Sequence, residues 1–301
     1  MGPLLMILLI SRLPSPASLL HALTGGPLYL LVLSLALNAV AIHLKVMRWR
    51  VLLEARGICY PMRQAWVAFA ASVYLGMVTP GRVGDLIRIR YLEHDVSARR
   101  ADGIASVLVD RLLDLGALAL SCFGALVYLW QIWPPTARWI VLGLSIAGLA
   151  APAVLLVPHV PERALAYVHR RFTGKEDAPA LREFSESVRV QAGAFAKTAP
   201  LTALSFLLAF GQGWLVARAT GIDLSYATAG SLSAIASLLS LLPISISGVG
   251  LREGFYAQVF PSLGFDAERG IAYGLACLVT LYLGVAAIGF VAWQIRPPPA
   301  G

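Results

Sequence analysis

Long apolar runs constrain this chain more than any other feature. The runs 27–47, 104–130 and 270–295 each exceed the ~20 residues that cross a bilayer as a helix. Shorter ones lie at 139–157 and 200–217. Inside lipid each backbone N–H and C=O needs a partner within the protein, and consecutive runs of this length meet that need as helices. Charged residues make up 13% of the 301 positions, against about 25% in soluble domains. That leaves too little polar surface for a soluble enzyme domain beside the membrane part, so an all-α integral membrane protein is expected, one domain over residues 1–301.

Two apolar stretches are interrupted. The stretch 64–78 breaks at Thr79-Pro80-Gly81 and a polar helix-like piece follows at 82–92. The stretch 228–242 breaks at Pro243, and a short helix is expected over 251–260. If each is a re-entrant hairpin, the Lys and Arg residues sort onto two sides. One side holds five at 45–63, five at 82–102, seven at 158–197 and Arg296, eighteen in all. The other holds only Arg138, Arg218, Arg252 and Arg269. Basic residues gather in the cytoplasm, which places the 45–63 and 158–197 loops there. A full crossing by the first broken stretch would destroy that asymmetry.

The expected fold is therefore about five full spans plus two re-entrant broken-helix hairpins in an inverted repeat. The first half is 27–130, the second 200–295, with 139–157 as connector and 158–197 as a cytoplasmic loop containing one helical segment. The two breaks have related spacing, Gly84-x-x-x-Arg88 and Gly248-x-x-x-Arg252. Broken segments at matching positions of inverted halves point to a transport site.

The first break is TPGRVGDLIR, residues 79–88. Pro80 and Gly81 interrupt helical hydrogen bonding, and Gly84 loosens the restart. A helix restarting here directs free N–H groups and the positive end of its dipole into the membrane. Arg82 and Arg88 add positive charge, and Asp85 is placed to hold one of them. A phosphate headgroup suits that setting; a plain cytoplasmic loop is the alternative. The second break, PISISGVGLRE (243–253), brings Ser247, Gly248 and Gly250 into a polar turn that lets backbone approach a ligand. With Gly250 as N-cap, Glu253 falls at N3, where a carboxylate favours the helix start, and Arg252 supplies charge for an anion. An extracytoplasmic turn is the alternative.

A third feature, VDRLLDLG, sets Asp110, Arg111 and Asp114 inside a span. Asp110 and Asp114 share a face, and Arg111 reaches Asp114 at i, i+3. Charges at such depth face a bundle interior or a wet cavity. They read as an intramembrane ion pair, either lining a lipid path or coupled to transport by protonation, or as a structural pair near the interface. Arg48-Trp49-Arg50 at the end of the first span reads as an interface anchor, with headgroup contact by an arginine as the alternative.

Other chemistry is not expected. Cys59, Cys122 and Cys277 have no disulfide or zinc spacing. No His pair has metal-ligand spacing, no nucleotide loop is present, and no cofactor is expected. The +8 charge lies between spans, where it meets anionic lipid rather than nucleic acid. Residues 3–10 are apolar but short and lack a basic start and a cleavage site, so no cleaved signal peptide is expected.

The ordered set RWRVLL, PGRVGDLIR, VDRLLDLG and PISISGVGLRE, over about residues 27–295, resembles the flippase-like membrane family that includes the transmembrane domain of lysylphosphatidylglycerol synthases. The resemblance implies movement of a lipid or lipid-linked headgroup between leaflets of a prokaryotic cytoplasmic membrane. The soluble aminoacylating domain of the two-domain members has no counterpart here, so a transporter rather than an enzyme is expected. Such proteins carry a full helix before the RW span; here 3–10 is too short to cross, so either the start is truncated or misassigned or the N-terminus lies outside. Expected partners are anionic or lipid-linked membrane lipids, with a homo-oligomer allowed. A membrane-embedded enzyme, or a scaffold for a separate lipid-modifying transferase, is the alternative.

Overall fold

A computed structural model describes residues 25–133, 135–156, 179–241 and 248–299. Ten helices and no strand occur among them: α1 Tyr29–Glu54, α2 Met62–Val78, α3 Ile87–Val96, α4 Arg100–Tyr128, α5 Pro135–Leu156, α6 Pro179–Ala192, α7 Phe195–Ala219, α8 Tyr226–Leu239, α9 Leu251–Val259 and α10 Ala267–Ile295. α1, α7 and α10 are long and apolar enough to cross a membrane; α1, with 26 residues, is about 39 Å long at 1.5 Å per residue. α4 has 29 residues. Residues 3–10, Pro243 and Ser247 lie outside the described residues, as do the side chains of Pro80, Gly81 and Arg82.

The broken stretches are pairs of short helices. α2 stops because Pro80 cannot continue its hydrogen bonding. Thr79 closes the end: its hydroxyl donates to the Leu75 carbonyl at 2.7 Å and accepts the Gly84 N–H at 2.8 Å. A 3₁₀ turn, Pro80–Leu86, leads to α3. Gly84 lies so close to the Leu75 backbone that a Cβ has no room. In the second half α8 starts at Ser225, whose hydroxyl accepts the Thr228 N–H at 3.0 Å. α9 starts at Gly250 with φ 86°, a left-handed geometry that glycine tolerates. The Glu253 carboxylate accepts the Gly250 N–H at 2.7 Å, as the sequence predicts.

Side-chain contacts gather the helix ends into two groups. Tyr60, between α1 and α2, donates to Asp95 at the end of α3 at 2.6 Å. Arg296, after α10, donates to the same carboxylate at 2.9 Å. The α2–turn–α3 segment therefore finishes where it starts. At the other end Tyr128, the last residue of α4, lies 3.5 Å from Ser225 and Thr228. Trp133, just after α4, stacks on Phe255 of α9 at 5.9 Å. The α8–α9 segment likewise begins and finishes beside the end of α4.

Packing between the halves is reciprocal. α1 lies along α7, α2 packs on the C-terminal part of α10, and α8 packs on α4. Each half thus covers the short helices of the other with its last long helix. Two cores result. One surrounds Trp49, Tyr60, Phe69 and Tyr91 and takes in Ala292 of α10. The other surrounds Tyr256, Phe260 and Tyr273 and takes in Cys122 and Leu126 of α4.

One expectation about the first span is corrected. Arg48-Trp49-Arg50 does not end it, because the helix runs on to Glu54. Arg48 and Trp49 are fully buried rather than interfacial. The reason is the facing helix: Trp49 donates to Ser106 of α4 at 3.0 Å, and α4 supplies carboxylates for Arg48. Within 158–197 the described part is α6 and the start of α7, and α6 packs against α4.

Candidate functional site

The charged residues of the first half converge on one network. Positions 45 and 48 share a face of α1, and positions 110 and 114 share a face of α4, because three or four residues make one helical turn. Arg48 joins both carboxylates. Its Nη2 lies 2.6 Å and its Nε 2.9 Å from Asp110 Oδ1, and its Nη1 donates to Asp114 Oδ1 at 2.7 Å. The same Nη1 reaches the Thr202 hydroxyl of α7 at 3.2 Å. Lys45 donates to the other Asp114 oxygen at 3.1 Å. Arg88 of α3 donates to Asp110 Oδ2 at 3.0 Å. Arg111 Nη2 lies 2.5 Å from Asp85 and its Nη1 lies 3.7 Å from Asp114.

One expected pairing changes. Asp85, expected to hold Arg82 or Arg88, meets Arg111, because the 3₁₀ turn carries Asp85 toward α4 while Arg88 reaches Asp110; the Arg82 side chain lies outside the described residues. Arg111 also meets Asp114 at i, i+3 as expected, and Arg48 joins Asp110 and Asp114 from α1.

The network has a closed side and an open side. The side chains of Arg48 and Arg88 are 0% exposed and that of Asp110 is 1%. Those of Asp114, Arg111 and Lys45 are 17, 28 and 32% exposed. Among the described side chains four cations face three carboxylates, one positive charge in excess. Arg88 sits 5.1 Å from the Trp49 ring centre and 5.0 Å from that of Phe69. Its Nε and Nη1 have no hydrogen-bond partner among the described residues. The arrangement presents guanidinium donors in an apolar wall, which suits an anionic group.

The second break differs. Arg252 is 2% exposed and its guanidinium carbon lies 3.5 Å from the Tyr282 ring centre. Nε, Nη1 and Nη2 all lack a hydrogen-bond partner among the described residues. Glu253 is fully buried; Oε2 caps α9, while Oε1 has no hydrogen-bond partner among the described residues and lies 4.0 Å from Arg252 Nη2. Gly248, with φ 77°, packs against Ser240 of α8.

Sequence reasoning passed over two further features. Asn38, Gln212 and Thr280 join α1, α7 and α10: Asn38 donates to the Thr280 carbonyl at 2.6 Å and Gln212 to the Asn38 oxygen at 2.9 Å. Thr280 lies in a π-helical stretch, Leu278–Leu283, whose wider turn frees carbonyls from the usual ladder. Lone amides inside apolar runs were the available signal. The second feature is a pair of clasps at the Tyr60 end of the bundle. Asp102 receives Arg56 at 2.9 Å, Arg99 at 3.0 Å and the Ser187 hydroxyl of α6. Burial would raise the Asp102 carboxyl, but these hydrogen bonds outweigh it and hold it below the usual carboxylate range. Asp95 is held low against burial in the same way by Arg296, Tyr60 and His94.

Among the described residues no group of three or more His, Cys, Asp or Glu is placed to hold a metal ion, and the cysteines are free.

Comparison with known proteins agrees with an integral membrane chain. The family described as Lysylphosphatidylglycerol synthase TM region matches residues 2–289. Two UPF0104 membrane proteins of Methanothermobacter thermautotrophicus are each 24% identical. One alignment covers 95% of this chain and 89% of the relative. The other covers 88% and 86%.

Proposed function

The chain belongs to the family of the lysylphosphatidylglycerol synthase TM region, and from that premise we propose that it is a transporter moving an anionic lipid or lipid-linked headgroup between bilayer leaflets. The observation that carries this reading is a buried, incompletely partnered arginine at each helix break, Arg88 in one half and Arg252 in the other. In a membrane protein such residues mark substrate paths. The α2–α3 and α8–α9 segments, each finishing beside its own start, act as re-entrant hairpins opening to opposite sides, and the reciprocal packing of the halves supports an inverted repeat. The basic Tyr60 end lies in the cytoplasm of a prokaryotic cell. The headgroup enters at the open side of the network, where Lys45, Arg111 and Asp114 are accessible, and the excess positive charge draws it inward. Unequal affinity of the two access states for the headgroup then shifts their populations.

We read the chain as a transporter rather than an enzyme. Asp110 and Asp114 are each engaged by two or more cations, an arrangement for holding charge rather than passing a proton to substrate. A scaffold role beside a lipid-modifying enzyme is the second reading, supported by the synthase in the family's description.

The test is a leaflet-resolved assay in proteoliposomes containing a labelled anionic phospholipid. The reconstituted chain is expected to accelerate exchange between leaflets, and Arg88→Gln and Arg252→Gln are each expected to slow it, with thermal melts confirming that both fold. Exchange no faster than in empty vesicles rejects the transporter reading. Exchange that both variants leave unchanged rejects the assigned residues. A covalently altered lipid in the same vesicles identifies an enzyme.

A further inference from the structure

Arg252 poses a problem that pairing with its neighbour does not solve. It and Glu253 are adjacent on α9, and adjacent helix positions do not face each other. Their closest approach is 4.0 Å, and no hydrogen bond joins them. One Glu253 oxygen is committed to the Gly250 N–H. The buried acid and base offset each other's charge, while Arg252 donors and a Glu253 acceptor have no hydrogen-bond partner among the described residues. Buried polar groups are normally satisfied, so unmet ones in a native fold call for a specific partner.

The Tyr282 ring limits where that partner sits. The guanidinium carbon lies 3.5 Å from the Tyr282 ring centre, so the aromatic ring occupies one side of the group. Guanidinium N–H bonds radiate from the edge of the plane, and that edge matches two oxygens of a phosphate or carboxylate. Tyr282 belongs to the π-helical stretch of α10, Leu278–Leu283, so the wall of the site is itself an irregular turn of the kind found at functional positions.

We propose that Arg252 and Glu253 bind a phosphate oxyanion whose substituent carries a hydrogen-bond donor. Arg252 takes the oxyanion through its edge, and Glu253 Oε1 accepts the donor, a hydroxyl or an ammonium of the same ligand. This deepens the transport reading by naming a ligand class for the second break, but binding does not depend on movement between leaflets. A phosphate ester without a donor satisfies only half the site. Two sources share the chemistry, a phospholipid headgroup and a water-soluble phosphate ester.

The test measures equilibrium binding to the full chain purified in a phosphate-free detergent. The probes are short-chain phosphatidylglycerol, phosphatidylethanolamine and phosphatidylcholine, and glycerol 1-phosphate. Phosphatidylglycerol and phosphatidylethanolamine bear donors and are expected to bind about tenfold tighter than phosphatidylcholine, whose methylated ammonium has none. Glu253→Gln keeps an oxygen for the Gly250 cap and replaces Oε1 with an amide; it should abolish that preference while leaving phosphatidylcholine affinity in place. Arg252→Lys keeps the charge but loses the edge, and should weaken all the lipids. Glycerol 1-phosphate binding as tightly as the lipids assigns the site to a soluble ester and upholds the chemistry. Equal affinity of wild type for all three lipids, or a preference that survives Glu253→Gln, overturns the proposal. Should Arg252→Lys fail to fold, Glu253→Gln decides alone. Because no leaflet exchange is measured, a failed transport assay leaves this result standing, and a failed binding assay leaves transport open.

Discussion

Arg88 and Arg252 each follow a helix break, four residues after Gly84 and Gly248, and they are buried to nearly the same degree. Their surroundings are opposite. Arg88 meets Asp110, which also holds Arg48, and the network extends through Asp114 to Lys45 and Arg111. Arg252 has an aromatic face and a neighbouring carboxylate that does not bond to it. The difference arises from α4. It presents Asp110 and Asp114 to arginines of α1 and α3, whereas α10 presents Tyr282 to the second break. A shared local pattern therefore yields a structural hub in one half and, in the other, an arginine without a hydrogen-bond partner among the described residues.

The largest expected effect breaks the hub. Asp110→Ala removes the carboxylate shared by Arg48 and Arg88 and leaves both guanidinium groups buried with reduced compensation. Breaking a buried pair on one side costs about 3–5 kcal/mol. A thermal melt in detergent should show a large loss, and failure to purify as a folded monodisperse protein is the extreme outcome. A melt close to that of wild type would mean that water reaches the network freely and that the two arginines are alike after all.

That hub was legible only in part. The period of the apolar runs placed the helices near their observed limits, because helical length in lipid is set by the bilayer. Gly250 and Glu253 announced the cap of α9, since a left-handed residue followed by a carboxylate at N3 is local chemistry. Asp110 and Asp114 were visible as costly intramembrane charges. Their partners were not, because Arg48 lies 62 residues from Asp110 and a basic residue near a span end is ordinarily an anchor. Trp49 misled for the same reason: its burial depends on Ser106 of a helix across the fold. Local sequence shows that a charge is present, and only tertiary packing shows what neutralises it.

The comparison sharpens if the carboxylates at the Tyr60 end are separated from those within the bundle. Asp95 and Asp102 are held below the usual carboxylate range by hydrogen bonds that outweigh burial. A folded value below the unfolded one contributes stability that is complete above about pH 4 and is lost as pH falls through that range toward the depressed value. Lowering the pH from about 6 to about 3 should therefore lower Tm. Asp102→Asn should lower Tm at neutral pH, by detaching α6 from α4, and reduce the further drop in acid. An unchanged acid response would mean that this clasp is not what acid breaks.

The smallest expected effect tests the other half. Arg252→Met keeps an unbranched chain of similar length, which can lie against Tyr282 through a sulfur contact. It removes three donors that have no partner among the described residues. Removing one member of a buried ion pair costs most where the two are hydrogen-bonded; no hydrogen bond joins this pair, so the loss should stay below about 3 kcal/mol and below that of Asp110→Ala. Glu253 is then left without its neighbour but still caps Gly250. If Arg252→Met instead costs as much as Asp110→Ala, Arg252 is holding the fold together, and the two arginines are equivalent despite their surroundings. If stability is kept while phospholipid binding is lost, the unmet guanidinium is there for a ligand, and the contrast between the two halves is a division between holding the bundle and holding what it binds.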